Sequence, residues 1–215
     1  MPPEPLPGLA ELRSILPVSR ETYDRLAKLV ALVGKWQKAE NLVAPSTLPE
    51  IWTRHVADSA QLLPLFPEAR HWLDLGSGGG FPGLVIAVLL ADREGEGAVH
   101  LVESNARKCA FLRTAARETG APALVHHSRI EAILAEWSGP VDVITARALA
   151  PFAVLLDLAG HLIGPARRAA FLKGVDFQRE IDEAAQSWDF DLVIHHSRIS
   201  EGSVILEVTR AVRRK

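Results

Sequence analysis

An α/β fold is what the sequence predicts: a mostly parallel seven-stranded sheet with helices on both faces, preceded by a helical extension. Three observations carry it. Strand-like and helix-like segments alternate from His71 onward. A glycine-rich turn, "LDLGSGGGFPG" (73–83), joins the first strand-like run to an apolar helix-like one. Two extended runs then close the chain with only "SRISEG" (197–202) between them, too short for a crossover, so this terminal pair is antiparallel.

The elements follow in order. "MPPEPLPG" (1–8) is proline-rich and reads as disordered. Ser19 to Glu40 reads as one helix, because Tyr23, Leu26, Val30, Val33 and Trp36 recur at three- and four-residue steps. Asn41 and Pro45 end it. Thr47 and Glu50 have the spacing of a capping box, with Pro49 in the first turn, and predict a second helix carrying Ile51, His55, Val56, Leu62 and Leu63. Residues 1–66 are thus a helical extension and 67–215 the main domain. Strands are expected at 71–75, 98–103, 122–126, 141–146 and 168–172, and helices at 82–91, 105–119, 129–137, 151–163 and 176–187. "DFDLVIHH" and "SVILEVTR" supply the last two strands.

Composition excludes several classes. Apolar residues make up 48% and charged residues 23% of 215, which is ordinary for a globular chain. The longest apolar run, Phe81 to Ala91, contains Pro82 and Gly83 and is too short to span a bilayer. The single cysteine, Cys109, cannot form an internal disulfide and suits a reducing compartment, so a cytoplasmic protein is expected. No membrane partner is expected, and a monomer is. A net charge of −2 argues against coating nucleic acid by bulk electrostatics. Basic residues nevertheless cluster at Arg20–Lys38, at Arg167, Arg168 and Lys173, and at Arg210–Lys215; each cluster reads either as a solvated face or as a local RNA-binding surface.

A glycine turn after the first strand is where ligands of open α/β sheets lie. Gly78 to Gly83 fits G-x-G-x-x-G, a weak match taken alone. The second strand ends in Glu103, which can accept hydrogen bonds from vicinal ribose hydroxyls, or is simply a solvated strand-end acid. Together they favour a nucleoside ligand. Asp74, just before the turn, suits a site that receives a cation, directly or by holding the loop amides. Phe81 and Pro82 stiffen the turn. These features, with the antiparallel end of the sheet, fit S-adenosylmethionine better than a nicotinamide dinucleotide.

The run "DLGSGGGFPG" resembles the first motif of the glucose-inhibited division protein B family, the 16S ribosomal RNA guanine-N7 methyltransferases. The resemblance continues in order through "ENLVAP" (40–45), "RHVADS" (54–59), "VITARALAP" (143–151) and "FLKG" (171–174). Val43 replaces the family's threonine, and Ala146 its serine. It implies a Rossmann-like class I methyltransferase fold, S-adenosylmethionine as cofactor, and 16S ribosomal RNA of the small subunit or its precursor as partner. It also places Gly76 and Phe81 in the cofactor turn, Ile130 and Glu131 beside the adenine, and Arg147 facing cofactor and reaction centre. Isoleucine stands at 130 where the family has alanine.

Methyl transfer to guanine N7 displaces a sulfonium by a free lone pair, with no proton to remove, so position and desolvation suffice. The catalytic candidates are Arg147 and Lys173, at the ends of neighbouring strands, where they can address the N7/O6 edge. Arg147 could instead pair with Glu131 or Asp142, and Lys173 could be an exposed loop lysine. Arg54 and Asp58 are an i,i+4 pair, open to a salt bridge or an RNA contact. Cys109 reads as packing. His126-His127 and His195-His196 lack partners at metal spacing, so no metal site is expected. A nicotinamide-dependent oxidoreductase and a non-catalytic RNA-binding module remain the alternatives.

Overall fold

The computed structural model describes residues 6–93 and 96–215. Five residues of the proline-rich start (1–5) lie outside the described part. Helices α1 (Leu9–Ile15) and α2 (Arg20–Trp36) open the chain. Ser19 caps α2, its side chain accepting from the Thr22 amide. A 3-10 turn (Pro45–Glu50), a π-helical turn (Trp52–Ala57) and two short pieces, α3 (Asp58–Ala60) and α4 (Leu62–Leu65), follow. The second predicted helix is therefore not one α-helix. Thr47 caps nothing: its hydroxyl donates to the Ala44 carbonyl at 2.9 Å.

The main body alternates as expected: β1 (His71–Leu75), α5 (Gly83–Leu90), β2 (Ala98–Glu103), α6 (Ala106–Thr119), β3 (Ala123–His127), α7 (Ile130–Ala135), β4 (Val143–Arg147), α8 (Phe152–Ala159), β5 (Arg168–Lys173), α9 (Phe177–Ala184), β6 (Trp188–His196) and β7 (Val204–Arg213). Asn105 caps α6 by accepting the Arg107 and Lys108 amides. The sheet order is β3-β2-β1-β4-β5-β7-β6. The first five strands run parallel, and β7 pairs antiparallel with both β5 and β6. Strand order reverses between β1 and β4, which opens a crevice at their carboxyl ends.

Side chains alternate between the two faces of the sheet. Trp72, Val99, Leu101 and Val143 enter one apolar cluster; Leu73, Leu75, Val102 and Ile144 enter the other. The first cluster also takes Leu12, Leu26, Leu29, Val33, Val56 and Leu63. The N-terminal helices therefore share a core with one sheet face. All eight residues of α5 are buried. A helix apolar on every side needs cover on every side, and α2 and α3 supply the side that the sheet does not.

Candidate active site

The glycine turn, the end of β4, the end of β5 and the stretch 41–58 enclose a cleft of about 1040 Å³ at the reversal point of the sheet. Leu42, His55, Gly78, Phe81, Arg147 and Lys173 all contribute to its wall. The stretch 41–44 is fastened by Gln37, whose Oε1 accepts the Leu42 and Val43 amides at 3.0 and 3.1 Å. Its Nε2 donates to the Val43 carbonyl at 2.8 Å.

The glycines of the turn are bare for different reasons. A Cβ on Gly79 would stand 2.6 Å from the Leu42 carbonyl oxygen, and one on Gly83 would stand 2.7 Å from Asp74 Oδ2. At those positions the protein's own packing excludes a side chain. Gly78 is different: it has φ +51°, and a Cβ there would meet only the Gly76 oxygen, at 3.7 Å. Its open side is part of the cleft wall. Its amide donates to Glu103 Oε2 at 3.0 Å. Glu103 Oε1 accepts the Asn105 amide at 2.8 Å, so the nearly buried carboxylate ties the turn to the start of α6.

Arg147 meets three partners from the N-terminal extension. Nη1 donates to the Arg54 carbonyl at 3.0 Å, and Nη2 lies 2.6 Å from His55 Nδ1. Asp58 is its ionic partner, at 3.8 Å, rather than Glu131 or Asp142. Asp142 instead accepts the Arg70 and His71 amides. The guanidinium sits over the Phe81 ring, 5.4 Å from its centroid. The Arg54–Asp58 pair expected from helical spacing does not form, because the π-helical turn changes the register; Arg54 reaches back to Glu50 at 3.8 Å. Burial, then the positive Arg147 and Arg54, push the His55 pKa down to about 3. Burial raises the Asp58 carboxyl, against the pull of Arg147.

Lys173 is not an exposed loop lysine. Its side chain is 8% exposed and bonds Glu180 and the Ala150 carbonyl, each at 2.6 Å. Glu180 also accepts the Phe152 amide at 2.7 Å, which locks β5 to the starts of α8 and α9. Asp74 lies beneath the turn, 1% exposed, and Oδ1 accepts from Thr145 at 2.8 Å. Its Oδ2 has no hydrogen-bond partner, and burial raises its pKa to about 6. It is not among the cleft-lining residues, and its side-chain hydrogen bond goes to Thr145 on β4 rather than to an amide of the turn. Ile130 and Glu131 begin α7 after β3 and are not among the cleft-lining residues. Cys109 is buried in α6, its Sγ 3.2 Å from the Glu103 carbonyl, as packing requires.

The family model described as "rRNA small subunit methyltransferase G" matches residues 22–204. The chain belongs to this family. A relative named ribosomal RNA small subunit methyltransferase G in Brucella anthropi is 54% identical over 95% of both chains. The protein of that name in Brucella abortus is 53% identical over the same shares. Among solved structures, an O-methyltransferase from Bacillus cereus in complex with SAH aligns at TM-score 0.58 and 15% identity, covering 92% of this chain and 94% of that one. A mutant MtNAS in complex with S-adenosylmethionine aligns at 0.58 and 12% identity, over 88% and 77%. At such identities the likeness is one of fold, and the fold is the class I methyltransferase fold.

In this family member the stretch 41–58 departs most from what local spacing predicts. Thr47 and His55 appeared there as helix residues, yet both belong to the chain of hydrogen bonds behind Arg147. The resemblances at 40–45 and 54–59 marked the region but not these hydrogen bonds. Ala148, which follows Arg147 and lines the cleft, has φ +51°, a conformation uncommon outside glycine. No spacing signals it. The basic clusters separate too. Arg210, Arg213 and Arg214 pair with Asp191, Asp157 and Asp189, whereas Arg54 and Lys108 line the cleft.

Proposed function

We propose that the protein transfers a methyl group from S-adenosylmethionine to N7 of a guanine in small-subunit ribosomal RNA, with the cleft at the β1/β4 reversal as the site. The observation that carries this reading is Gly78. Its bare side opens on the cleft while its amide is fixed by Glu103, the geometry needed to lay a nucleoside against main chain. Glu103 is nearly buried, and its two oxygens keep lone pairs beyond those used by Gly78 and Asn105, enough for ribose hydroxyls. The bound cofactor supplies a methyl group on a sulfonium, an electrophile that needs no activation.

The chain's own residues do the rest. Gly76, Gly78 and Phe81 shape the cofactor wall, and Ile130 and Glu131, at the start of α7, would receive the adenine. Arg147 donates toward the reaction centre. With the cofactor bound, the C–S bond would break as the C–N7 bond forms; the positive charge would pass from sulfur to the base, and no proton would leave. No general base is needed, and His55, its Nδ1 already engaged by Arg147, offers none. Lys173 presents its remaining donor toward guanine O6 and leaves the N7 lone pair free to attack. Residues 67–215 form the methyl-transfer domain and 1–66 the extension that walls the substrate side. The substrate is the small subunit or its precursor, and the enzyme acts as a monomer in the cytoplasm.

Titration calorimetry with S-adenosylmethionine and with NAD tests the cofactor assignment. Binding of the first and not the second supports it. Binding of NAD alone would return the nicotinamide reading, and binding of neither would leave a non-catalytic RNA module.

A further inference from the structure

Behind Arg147 runs a chain of hydrogen bonds whose direction is fixed by chemistry. A guanidinium only donates, so His55 Nδ1, 2.6 Å from Arg147 Nη2, must present a lone pair. The imidazole proton is then on Nε2, which donates to Thr47 Oγ1 at 2.7 Å. The Thr47 hydroxyl in turn donates to the Ala44 carbonyl at 2.9 Å. Each member leaves the next a single role. The His55 ring, 8% exposed, packs 5.0 Å from the Phe81 ring, centroid to centroid, and Phe81 also carries the guanidinium.

We propose that His55 is a positioning residue for methyl transfer: held as one tautomer by Thr47, it fixes the plane of the Arg147 guanidinium against Phe81 and so aims its remaining donors into the cleft. The proposal rests on the reading that Arg147 acts at the reaction centre. Three acceptors surround the guanidinium: the Arg54 carbonyl and His55 Nδ1 from the π-helical turn, and Asp58, the residue that follows it. Of these only His55 is also joined to the glycine turn through Phe81. It therefore sets the guanidinium relative to the cofactor wall as well as relative to its own turn.

The test is single-turnover methylation of small ribosomal subunits lacking the modification, at saturating S-adenosylmethionine, with cofactor affinity measured beside it. His55→Leu should slow transfer about ten- to a hundredfold, the effect of losing a hydrogen bond to a charged group. Cofactor affinity should stay near wild type. His55→Asn, whose carbonyl oxygen can stand where Nδ1 does, should recover most of the rate. In an Arg147→Ala background, His55→Leu should cost almost nothing further, since its target is gone. If His55→Leu fails to fold, Thr47→Val, which frees the tautomer without emptying space, should slow transfer in the Arg147 protein and not in Arg147→Ala. Losses that multiply in the double variant, or a wild-type rate for folded His55→Leu, would overturn the proposal. A wild-type rate for Arg147→Ala alone would instead remove the reading on which it rests.

Discussion

His55 Nδ1 lies 2.6 Å from Arg147 Nη2, a contact across 92 residues that joins the N-terminal extension to the end of β4. It closes the cleft on one side and keeps the imidazole neutral. The electrostatics of this contact can be read by titration. His55 titrates near 3 when folded, against an ordinary 6.5. Between those values the unfolded chain holds a proton that the folded chain does not. Stability from this group is therefore lost as pH falls below 6.5, by about 1.4 kcal/mol per pH unit.

Asp74 runs the other way. Burial raises its carboxyl from 3.8 to about 6, so between those values the folded chain holds the extra proton. Stability from this group rises as pH falls through that window. Urea unfolding at about pH 7, 6 and 5 checks both. Relative to wild type, His55→Asn should gain stability as pH falls and Asp74→Asn should lose its advantage. Curves that stay parallel to wild type would contradict the two assignments.

Gly78 and Gly79 should respond differently to one methyl group. Gly78→Ala strains a left-handed backbone by about 1–2 kcal/mol and projects into the cleft. Cofactor affinity in the folded variant should fall by at least about tenfold. Gly79→Ala meets the Leu42 carbonyl, so its main effect should be on melting temperature. Calorimetry with S-adenosylmethionine beside thermal unfolding distinguishes them, and equal cofactor affinity in both would count against Gly78 as the contact point.

Lys173→Ala leaves the Glu180 carboxylate without its cation. The loss should be up to about 3 kcal/mol, at the low end for a buried pair because Glu180 keeps the Phe152 amide and some water. Lys173→Met with Glu180→Gln should restore most of that stability. If Lys173 also addresses the guanine edge, the restored protein will bind S-adenosylmethionine normally and still methylate slowly. A restored protein with normal methylation would confine Lys173 to a structural role.

The sheet was legible because each strand was bounded by its own punctuation. The glycine turn, Asn105 and the short link at 197–202 mark changes of element that chain geometry leaves little freedom to place elsewhere. The cleft wall was legible where a motif ends or follows a strand: Gly78 in the turn after β1, Arg147 at the end of β4 and Lys173 at the end of β5. It was not legible at 41–58. Thr47 and Glu50 satisfy the spacing of a capping box, but local spacing is silent on a competing long-range partner. Here His55 takes the Thr47 hydroxyl and the π-helical turn moves Asp58 toward Arg147. The partners of Arg147 and Lys173 were missed for the same reason. Asp58 and Glu180 come near only once the extension and α9 have packed.

Glu103→Ala should weaken S-adenosylmethionine binding about ten- to a hundredfold, the cost of a lost hydrogen bond to a charged group. It also frees the Gly78 amide, so Glu103→Gln, which keeps one acceptor for the turn, should fall between Ala and wild type. A change of less than about twofold in the Ala variant would leave Glu103 as a loop fastener alone.

The central claim is that this cleft delivers a methyl group to guanine N7 in small-subunit RNA. Its most direct measurement uses small subunits lacking the modification, incubated with labelled S-adenosylmethionine and then treated with borohydride and aniline. That treatment cuts RNA where N7 methylation has left the imidazole ring cationic. The wild-type protein should yield label in the small-subunit RNA and cleavage at one guanine, and Arg147→Ala should yield neither at comparable times. Label without an aniline-sensitive guanine, or no label in that RNA at all, would contradict the account.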